Sequence, residues 1–493
     1  MSSIPHPATT PAVLSPCQVP LCVDLDGTLI KTDLFWESLL LLLKRSPLLI
    51  FAVPLWLWHG KAYLKHEINR RVRLDVTALP YNDDVVDYLR SERRRGRTLV
   101  LATASRLELA GAVAAHLGLF DQVLGTETVN LKGTAKRKAL EERFGSRGYD
   151  YIGNSSADLP VWGHANQALI VSRSPSLVAR VREAGITVGR VFEEQRSLIR
   201  VLLKALRVHQ WAKNLLVFVP LISSHQVLQG SSLLAALIAF FSFSLCASGV
   251  YILNDCLDLE ADRHHPKKKH RPFAAGTLSI PAGLALSLGC LIVSFASAMV
   301  LPTPFFFVLA VYFVLTTSYS LYVKQFVLID VIVLAQLYTV RVYAGGAAAG
   351  IVPSHWLLTF SLFMFLSLAL MKRFTEIKLV SHTDHASGLD QGDLRGRGYR
   401  TTDAEHIASI GSSSGLVAVL VLALYISSKE VLALYSRPEV LWLVCPVMLY
   451  WITRAWMLAY RDRMDDDPVV FAVRDQKSYI VAFLIGVILV LAK

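Results

Sequence analysis

Residues 23–28 read Val-Asp-Leu-Asp-Gly-Thr and end an apolar run that begins at Leu21. The run has the composition of a buried β-strand, so Asp24 and Asp26 are predicted to stand where that strand ends. Two carboxylates at such a place can share a Mg²⁺ ion and a phosphate, one as the nucleophile and the other handling the proton of the leaving group. Gly27 lets the backbone turn close to the phosphate. The stretch therefore predicts a phosphoryl-transfer site.

Three further motifs follow along the chain. Residues 98–105 (Thr-Leu-Val-Leu-Ala-Thr-Ala-Ser) end a strand-like run in hydroxyl groups, residues 133–136 (Gly-Thr-Ala-Lys) supply a lysine, and residues 153–158 (Gly-Asn-Ser-Ser-Ala-Asp) supply an acid. Taken with residues 23–28, this ordered series resembles the haloacid dehalogenase (HAD) superfamily of phosphotransferases. The resemblance implies an α/β, Rossmann-like domain.

The resemblance also implies roles for single residues. Thr103 is expected to bind the phosphate, with Ser105 as the second choice. Lys136 is expected to neutralise the phosphate and the nucleophile, with Lys132 as the alternative.

The implied metal site has an unusual composition. Asp24, Asp26 and Asp158 are expected to bind Mg²⁺, but Asn154 stands where the superfamily usually has an aspartate. The substitution removes one negative charge from the site. It leaves two interpretations open, a working phosphatase or a degenerate regulatory module.

Residues 21–200 are predicted to form this α/β domain, and residues 1–20, rich in Pro, Ser and Thr, predict a disordered tail. Strand-like runs alternate with polar helical stretches, which favours a parallel sheet. The runs are Leu21–Leu25, Thr98–Ala102, Tyr149–Ile152 and Ala168–Val171.

An insert at about residues 34–75 occupies the place of a HAD cap. It holds two apolar stretches, 34–45 and 47–58, each too short to span a bilayer. We expect cap helices that lie on the membrane, and the alternative is an ordinary buried cap core.

The composition points to a membrane protein. Apolar residues make up 53% of the 493-residue chain and charged residues 18%, which excludes a disordered chain and a fibrous repeat. The six cysteines show neither a CxxC motif nor a zinc spacing, so they predict reduced, structural thiols.

Apolar stretches recur from residue 213 to the C-terminus and predict a bundle of nine transmembrane helices. The predicted spans are 213–225, 232–253, 281–301, 304–321, 327–349, 355–371, 410–427, 439–458 and 478–492.

With nine spans, the lysine- and arginine-rich loops all fall on one side. The positive-inside rule then predicts a multi-pass protein of the inner (cytoplasmic) membrane whose N-terminal domain is cytoplasmic. The net charge of +12 is thereby explained by topology and by lipid or phosphate contact. No basic stripe with interleaved aromatic residues appears, so nucleic-acid binding is not expected.

A second acidic motif follows the second predicted span. Asn254 precedes Asp255, Asp258 and Asp262, whose spacing places three carboxylates on one helical face. Like charges at that spacing repel one another, so they predict bound Mg²⁺. Residues 265–272 then supply Lys268 and Arg271 for phosphate oxygens.

This motif resembles the UbiA superfamily of membrane prenyltransferases, and the resemblance covers residues 205–493. It implies an all-α bundle in which two Asp-rich loops hold a Mg²⁺-diphosphate. The second loop departs from that pattern, because residues 371–377 (Met-Lys-Arg-Phe-Thr-Glu-Ile) carry Lys372 and Arg373 in place of an acidic run.

That departure resembles the decaprenyl-phosphate phosphoribosyltransferase branch of the superfamily. Further stretches resemble the same branch, namely 207–214, 319–324 with Lys324 and Asp330, 341–346 and 396–400. The resemblance implies that phosphoribosyl diphosphate donates 5-phosphoribose to a polyprenyl phosphate.

Roles in that reaction follow from the resemblance. The three aspartates are expected to hold Mg²⁺ on the donor diphosphate, assisted by Asn254, while Lys268 and Arg271 neutralise the leaving group. Lys372 and Arg373 are expected to bind the ribose 5-phosphate, and Lys324 is a further substrate-binding candidate. The HAD domain would then remove the 5-phosphate during synthesis of a cell-envelope glycan precursor.

Other readings stay open at this point. One is an aromatic or quinone prenyltransferase that uses a polyprenyl diphosphate, with a regulatory HAD domain, and another is a transporter or scaffold. The sequence leaves open homo-oligomerisation, the prenyl chain length and the role of Asp465–Asp467 and Asp475, for which balance of Arg463 and Arg474 is favoured.

Overall fold

The computed structural model describes residues 19–127, 130–172, 174–193, 197–387, 397–464 and 468–493. Most of the predicted tail, together with Gly396 and Asp465–Asp467, lies outside the described residues. The chain forms two compact units. The first runs to Ala205 and includes Asp255–Ala285, and the second comprises Leu206–Asn254 and Leu286–Lys493.

The first unit is built on a parallel six-stranded sheet in the order β3-β2-β1-β4-β5-β6, which confirms the predicted α/β class. Val23 pairs with Leu101 on one side and Ile152 on the other, so the first and fourth strands end at nearly the same level, whereas the second continues to Arg106. This register brings the residues that follow the first and fourth strands to the same edge as the last residues of the second. The strands are β1 Leu21–Val23, β2 Leu99–Arg106, β3 Gln122–Thr126, β4 Asp150–Gly153, β5 Ala168–Ser172 and β6 Val188–Glu193.

Helices cover both faces of this sheet and form two buried cores, one around Leu21, Leu99 and Val113, the other around Val100, Tyr149 and Trp162. The helices up to Ala205 are α1 Leu34–Arg45, α2 Val53–Trp58, α3 Lys61–Arg71, α4 Asp83–Arg94, α5 Leu107–Leu117, α6 Thr134–Phe144, α7 Leu159–Trp162, α8 Pro175–Glu183 and α9 Leu198–Ala205.

Helices α1 to α3 lie in the insert that the sequence assigns to a cap, and this segment is called the cap below. Asp33 caps α1 by accepting a hydrogen bond from the Phe35 N–H at 2.9 Å. A 3₁₀ turn, Pro47–Phe51, leads from α1 into α2. Leu42 and Ile68 are buried in a small core of the cap's own.

The rest of the chain is helical. Its helices are α10 Val219–Ser223, α11 Gly230–Leu257, α12 Leu259–His264, α13 Ile280–Ala298, α14 Thr303–Leu321, α15 Ile329–Ala349, α16 His355–Ser387, α17 Ala404–Ile426, α18 Lys429–Leu434, α19 Val444–Tyr460, α20 Pro468–Arg474 and α21 Gln476–Ala492.

Seven segments in the described ranges are long and apolar enough to cross a membrane. They match seven of the nine predicted spans and are Gly230–Leu257, Ile280–Ala298, Thr303–Leu321, Ile329–Ala349, His355–Leu379, Thr401–Ile426 and Pro438–Tyr460.

The other two predicted spans differ from this pattern. Residues 213–225 lie in a 3₁₀ run, Val208–Phe218, that continues into the short α10. Helix α21 has 17 residues and would be about 26 Å long at 1.5 Å per residue, just under a bilayer core of about 30 Å. The count of nine is therefore not confirmed and stays a prediction.

Small polar residues join neighbouring helices in the second unit. The Ser242 hydroxyl donates to the Ser294 carbonyl at 2.9 Å, and the Ser294 hydroxyl donates to the Ser242 carbonyl at 2.7 Å. Such exchanges allow close approach and satisfy hydroxyl groups where water is scarce, as is typical of membrane helix pairs.

Candidate active sites

The first candidate site lies at the carboxyl edge of the sheet. Asp24 follows β1, and its Oδ1 accepts a hydrogen bond from Lys136 Nζ at 2.8 Å. Lys136 lies on α6 and is only 3% exposed. The structure thus joins the predicted nucleophile to the predicted lysine, across 112 residues of sequence.

A tyrosine extends this contact to the third motif. Lys136 Nζ also donates to the Tyr151 hydroxyl at 2.8 Å, and that hydroxyl donates to Asp158 Oδ1 at 3.2 Å. Asp158 Oδ2 accepts from the Ser155 N–H at 3.1 Å. Tyr151 therefore connects two predicted site residues. Sequence reasoning missed it because its position in β4 is that of an ordinary core aromatic.

Asp26 has a different environment. It accepts hydrogen bonds from the Leu34 N–H at 2.9 Å and the Ser105 hydroxyl at 2.7 Å. The Ser105 N–H donates to Thr103 Oγ1 at 2.9 Å. Both hydroxyl candidates therefore lie at this edge, and Ser105 is the one that contacts Asp26.

Gly27 and Asn154 approach each other closely at the mouth of this site. Gly27 has a positive φ of +74°, and a Cβ added to it would lie 2.1 Å from Asn154 Nδ2. The position requires glycine for its backbone angle and for space. The amide that replaces the usual aspartate therefore packs against the turn that follows the nucleophile.

The cap contributes a lysine that the sequence did not single out. Lys65 on α3 donates to the Ala104 carbonyl at 2.7 Å and to Asn130 Oδ1 at 3.4 Å. Lys65 is one of several cations on that helix, so no local signal distinguished it.

Burial controls the charge of these groups. It raises the pKa of Asp24 to about 6, against the opposing charge of Lys136. Burial also raises the pKa of Asp26 to about 6, and the neighbouring Asp33 adds to the shift. Burial lowers the pKa of Lys65. Perturbed carboxyl groups beside a buried lysine are typical of a catalytic cleft.

The second candidate site is the acidic segment that begins in the last turn of α11 and continues into α12. Arg271 Nη1 donates to Asp255 Oδ1 at 3.1 Å and to Asp262 Oδ2 at 2.7 Å. Asp255 and Asp262 are 2% and 4% exposed. The structure thus brings two of the three predicted aspartates to one arginine, and the predicted role of Arg271 toward substrate phosphate stays a prediction.

The predicted single helical face is interrupted at Asp258. The chain leaves helical geometry there, between α11 and α12, with φ of −101° and ψ of 19°. Asp258 Oδ1 consequently faces the cap, where Lys44 Nζ donates to it at 2.6 Å. Lys268 is half-buried in the turn Lys268–His270, and its N–H donates to His265 Nδ1 at 3.4 Å.

A buried ion pair fixes this segment within the first unit. Arg263 on α12 donates to both carboxylate oxygens of Glu37 on α1, at 2.8 and 2.6 Å. Arg263 Nε also donates to the Ala274 carbonyl at 3.1 Å. Arg263 therefore joins the acidic segment both to the cap and to the loop that contains Ala274.

Both acidic sites suit Mg²⁺ by donor type, because hard cations prefer oxygen ligands. Within the described residues, no group of three His, Cys, Asp or Glu side chains converges to hold a metal by itself. Mg²⁺ is often held by one or two carboxylates together with water and substrate phosphates. The residues present fit that mode of binding, with Asp24 and Asp158 as donors at one site and Asp255 and Asp262 at the other.

The second unit contains a buried cationic cluster. Arg341 donates to Asn214 Oδ1 at 2.7 Å and to the Tyr312 hydroxyl at 2.8 Å. Lys213 and Arg341 both lie over the ring of Tyr338, at 5.7 and 5.5 Å. Within the described residues, the acceptors of Arg341 are all uncharged. A buried arginine in a membrane domain with neutral partners favours an anion-binding role.

Arg373 differs from this pattern. It is fully buried and forms ion pairs with Asp330 and Glu376, while Tyr399 donates to Asp330 Oδ1 at 2.6 Å. This environment gives Arg373 structural partners, and its predicted contact with substrate stays untested.

The other predicted residues of the second unit are more accessible. Asn254, Lys324 and Lys372 are half-buried on α11, on the turn Val323–Gln325 and on α16. Asp475 accepts two hydrogen bonds from Arg454, at 2.7 and 2.8 Å, which places it in a structural ion pair.

An apolar cavity of about 500 Å³ opens between α14, α15 and α16. Phe307, Val311 and Leu362 contribute apolar walls, and Gln336 and Thr339 contribute polar groups. Its lining suits a hydrocarbon chain.

Family comparisons agree with this architecture. Residues 216–476 match the UbiA prenyltransferase family, and residues 21–162 match the haloacid dehalogenase-like hydrolases. The first match covers more than half of the chain, so the chain belongs to the UbiA prenyltransferase family, and it carries an HAD-like domain at its N-terminus.

Relatives show two patterns of similarity. The chain is 35% identical over 478 residues to the uncharacterized protein y4nM of Sinorhizobium fredii, covering 96% of this chain and 91% of that protein. It is 36% identical over 280 residues to the nodulation protein NoeC of Azorhizobium caulinodans, covering 56% of this chain and 88% of that protein.

The second pattern is a partial match. Decaprenyl-phosphate phosphoribosyltransferase of Mycolicibacterium smegmatis is 36% identical over 194 residues, which cover 38% of this chain and 60% of that enzyme. Among solved structures, a UbiA homolog from Archaeoglobus fulgidus bound to GPP and Mg²⁺ is 16% identical. It covers 58% of this chain and 97% of that chain, with a TM-score of 0.44.

Proposed function

We propose that the protein transfers 5-phosphoribose from phosphoribosyl diphosphate to a polyprenyl phosphate and then removes the 5-phosphate. The observation that carries this proposal is the pairing of Asp255 and Asp262 through Arg271 in a chain similar to phosphoribosyltransferases of this type. A carboxylate pair beside a fixed guanidinium suits a diphosphate that carries a divalent cation.

In the transfer step, an oxygen of the polyprenyl phosphate forms a bond to the anomeric carbon of ribose. The bond from that carbon to the diphosphate breaks, and diphosphate leaves with its electron pair. Mg²⁺, when bound, would stabilise the charge on the departing diphosphate. Arg271 and Lys268 would neutralise the same charge, and Asn254 would assist in orienting the donor.

Groups of the second unit would bind the remaining parts of the substrates. Lys324 and Lys372 are proposed to hold the 5-phosphate, and Arg373 would position this region through its ion pairs. Lys213 and Arg341 would hold a phosphate. The apolar cavity between α14, α15 and α16 suits the polyprenyl tail.

The HAD-like domain would act on the product, which retains a phosphomonoester. Asp24 would attack the phosphorus, and Asp26, whose raised pKa brings it closer to neutral pH, would donate a proton to the departing ribose 5-oxygen. Lys136 would neutralise the phosphate, while Ser105 and Thr103 would bind its oxygens. Hydrolysis of the phospho-aspartate would then release inorganic phosphate.

The protein is a multi-pass membrane protein, because seven helices among its described residues are long and apolar enough to cross a membrane and because it belongs to the UbiA family. We further propose that it lies in the inner membrane, with the HAD-like domain cytoplasmic, because the nine predicted spans would place the basic loops and the N-terminal domain on one side. Phosphoribosyl diphosphate and sugar phosphates are polar, so active sites on the aqueous cytoplasmic side suit them.

The test uses the full chain in lipid nanodiscs with radiolabelled phosphoribosyl diphosphate, polyprenyl phosphate and Mg²⁺, and mass spectrometry of the lipid product. We expect a polyprenyl-phosphoryl ribose from the native chain. We expect the 5-phosphorylated product from Asp24→Asn, and no labelled lipid from Asp255→Asn. Asp87→Asn, an exposed position on α4, serves as the matched control.

Two results would overturn the proposal in different ways. Retention of the 5-phosphate by the native chain would remove the phosphatase step. Turnover of a polyprenyl diphosphate with an aromatic acceptor, without labelled lipid from the ribose donor, would establish a prenyltransferase instead.

A further inference from the structure

The cap carries an apolar stripe on its outer surface. Leu48, Phe51, Leu55 and Trp58 recur at helical spacing along the turn Pro47–Phe51 and α2. Their side chains are 80%, 76%, 65% and 90% exposed. An exposed run of large apolar groups at this spacing is unusual on a surface that meets only water.

The opposite side of the same segment is already packed. Leu49, Val53 and Trp56 contact the small core of the cap, and the Arg71 guanidinium lies 4.6 Å from the centre of a Trp56 ring. The exposed stripe, which we call the cap stripe, is therefore a second apolar face on a segment whose inward face is filled.

A hydrogen bond within the first unit joins the start of the cap-stripe segment to the acidic segment. Lys44 stands three residues before the turn begins and donates to Asp258 at 2.6 Å. Asp258 directly follows α11, which is long and apolar enough to cross a membrane. The segment that carries the cap stripe is thus tied, through Lys44, to the residue that follows this helix in sequence.

Length and charge identify the kind of surface that the stripe fits. Pro47–Trp58 is too short to cross a bilayer of about 30 Å. Exposed basic groups, Arg45 before it and Lys61 after it, stand at its two ends. An apolar face bounded by cations is typical of a segment that lies in the interface of a membrane with anionic headgroups.

We propose that the cap stripe inserts into the headgroup and acyl boundary of the membrane in which the chain resides, with anionic lipid at its two basic ends. Helix α3, which packs against α2, carries Lys65 to the Ala104 carbonyl beside the phosphatase site. Docking therefore orients this site toward phosphate groups at the membrane surface. That last consequence rests on the proposed phosphatase function, whereas the docking does not.

The docking test places a polarity-sensitive fluorophore on the cap of the full chain. Cys17→Ser and Cys445→Ser remove two cysteines, and the other four are buried. Phe51→Cys reports on the stripe, and Asp84→Cys on α4 is the exposed control. Each labelled chain is placed singly in nanodiscs that contain phosphatidylglycerol and a nitroxide-labelled lipid.

We expect blue-shifted emission at position 51, at least about twofold stronger quenching by the nitroxide lipid than at position 84, and protection from aqueous iodide. Equal iodide quenching at both positions would overturn the proposal. Protection without lipid quenching would also overturn it, because it would mean that protein covers the stripe.

A functional test distinguishes an effect of the cap stripe on access to a membrane substrate from an effect on the chemical step. We expect Phe51→Asp with Trp58→Asp to slow hydrolysis of a bilayer-embedded polyprenyl phosphoribose by about tenfold or more and to leave hydrolysis of p-nitrophenyl phosphate unchanged. If the native chain is active and the double variant hydrolyses each substrate at the native rate, the orienting role is overturned. A native chain inactive on both substrates would remove that role together with the phosphatase proposal, while the fluorescence result would still decide the docking.

Discussion

Arg263 and Glu37 form a two-point ion pair between positions 226 residues apart, with N–O distances of 2.8 and 2.6 Å. Their side chains are 7% and 3% exposed. Removing one partner of so buried a pair leaves a charge that neither water nor protein compensates. The acidic segment that contains Asp255 and Asp262 therefore depends on a helix of the phosphatase cap for its position.

Glu37→Gln tests this dependence, because it keeps the shape of the side chain and removes its charge. Loss of the pair should cost about 3–5 kcal/mol locally. We expect faster hydrogen exchange across residues 255–285 and a loss of transferase activity of about tenfold or more. Asp87→Asn, from the exposed pair with Arg90, should change neither quantity. Native-like exchange in Glu37→Gln would contradict the dependence.

Arg271 should be essential because one nitrogen contacts two aspartates. Arg271→Gln removes the charge that balances Asp255 and Asp262, so we expect a fall in transferase activity of about 100-fold with the phosphatase rate unchanged. Arg271→Lys should keep part of the activity, since it keeps the charge but loses the planar geometry. Lys269→Gln, an exposed neighbour, is the control, and the transfer assay decides the outcome.

Gly27→Ala should inactivate the phosphatase by crowding. The new methyl group would lie against Asn154 Nδ2, and the positive φ would cost about 1–2 kcal/mol for an L-residue. Gly27→Ala combined with Asn154→Ser should recover part of the rate by removing the clash but not the backbone strain. Rates with p-nitrophenyl phosphate measure both variants, and full activity of Gly27→Ala would show that the turn adapts.

The Mg²⁺ requirement of the phosphatase should depend on pH. Burial raises the pKa of Asp24, which would hold Mg²⁺ together with Asp158, to about 6, so below that pH its proton must leave before a cation binds. We expect the Mg²⁺ affinity to reach its full value above this pH. Below it, the affinity should fall by about tenfold per pH unit for each displaced proton. Half-saturating Mg²⁺ for p-nitrophenyl phosphate hydrolysis, measured across this range, should rise on acidification. A flat profile would contradict the raised values.

Without metal, the same raised pKa values predict that the stability of the fold falls as pH rises, whereas the Mg²⁺ affinity rises with pH. A carboxyl whose pKa is raised by folding binds its proton more tightly in the folded state. The stability that Asp24 and Asp26 allow is therefore highest below the ordinary carboxyl range and is lost as pH rises through about 6. Mg²⁺ should offset this loss by supplying positive charge.

Arg373 should behave as a positioning residue. Its ion pairs with Asp330 and Glu376 are internal, so Arg373→Lys should lower the melting temperature and kcat without raising KM for phosphoribosyl diphosphate. Lys372→Gln should raise that KM, because Lys372 is the more accessible neighbour. A raised KM in Arg373→Lys at unchanged stability would restore the direct contact that the sequence predicted.

The phosphatase site shows how much a sequence can predict when motifs follow strand ends. Asp24, Lys136 and Asp158 meet because parallel strands in register end at one edge of a sheet, and this geometry is implicit in the motif order. Tyr151 and Lys65 could not be predicted in the same way. One is a core aromatic whose hydroxyl happens to reach two motifs, and the other arrives from the cap by packing.

The acidic segment was predicted in composition but not in shape. The spacing of Asp255, Asp258 and Asp262 assumes one continuous helix, whereas the chain breaks at Asp258, where Lys44 of the cap binds its carboxylate. Local periodicity cannot include a partner more than 200 residues away. The pairing of Arg373 with Asp330, 43 residues apart, also lies beyond the reach of local periodicity.

The link between Glu37 and Arg263 also sets an order of events during synthesis. At about 5–20 residues per second, the ribosome needs roughly 10–45 s to add the 226 residues that separate them. Helix α11 must be made and passed to the insertion machinery within that interval. The carboxylate of Glu37 therefore has no arginine partner during this interval. Its burial is completed only after translation has passed the first long apolar helix.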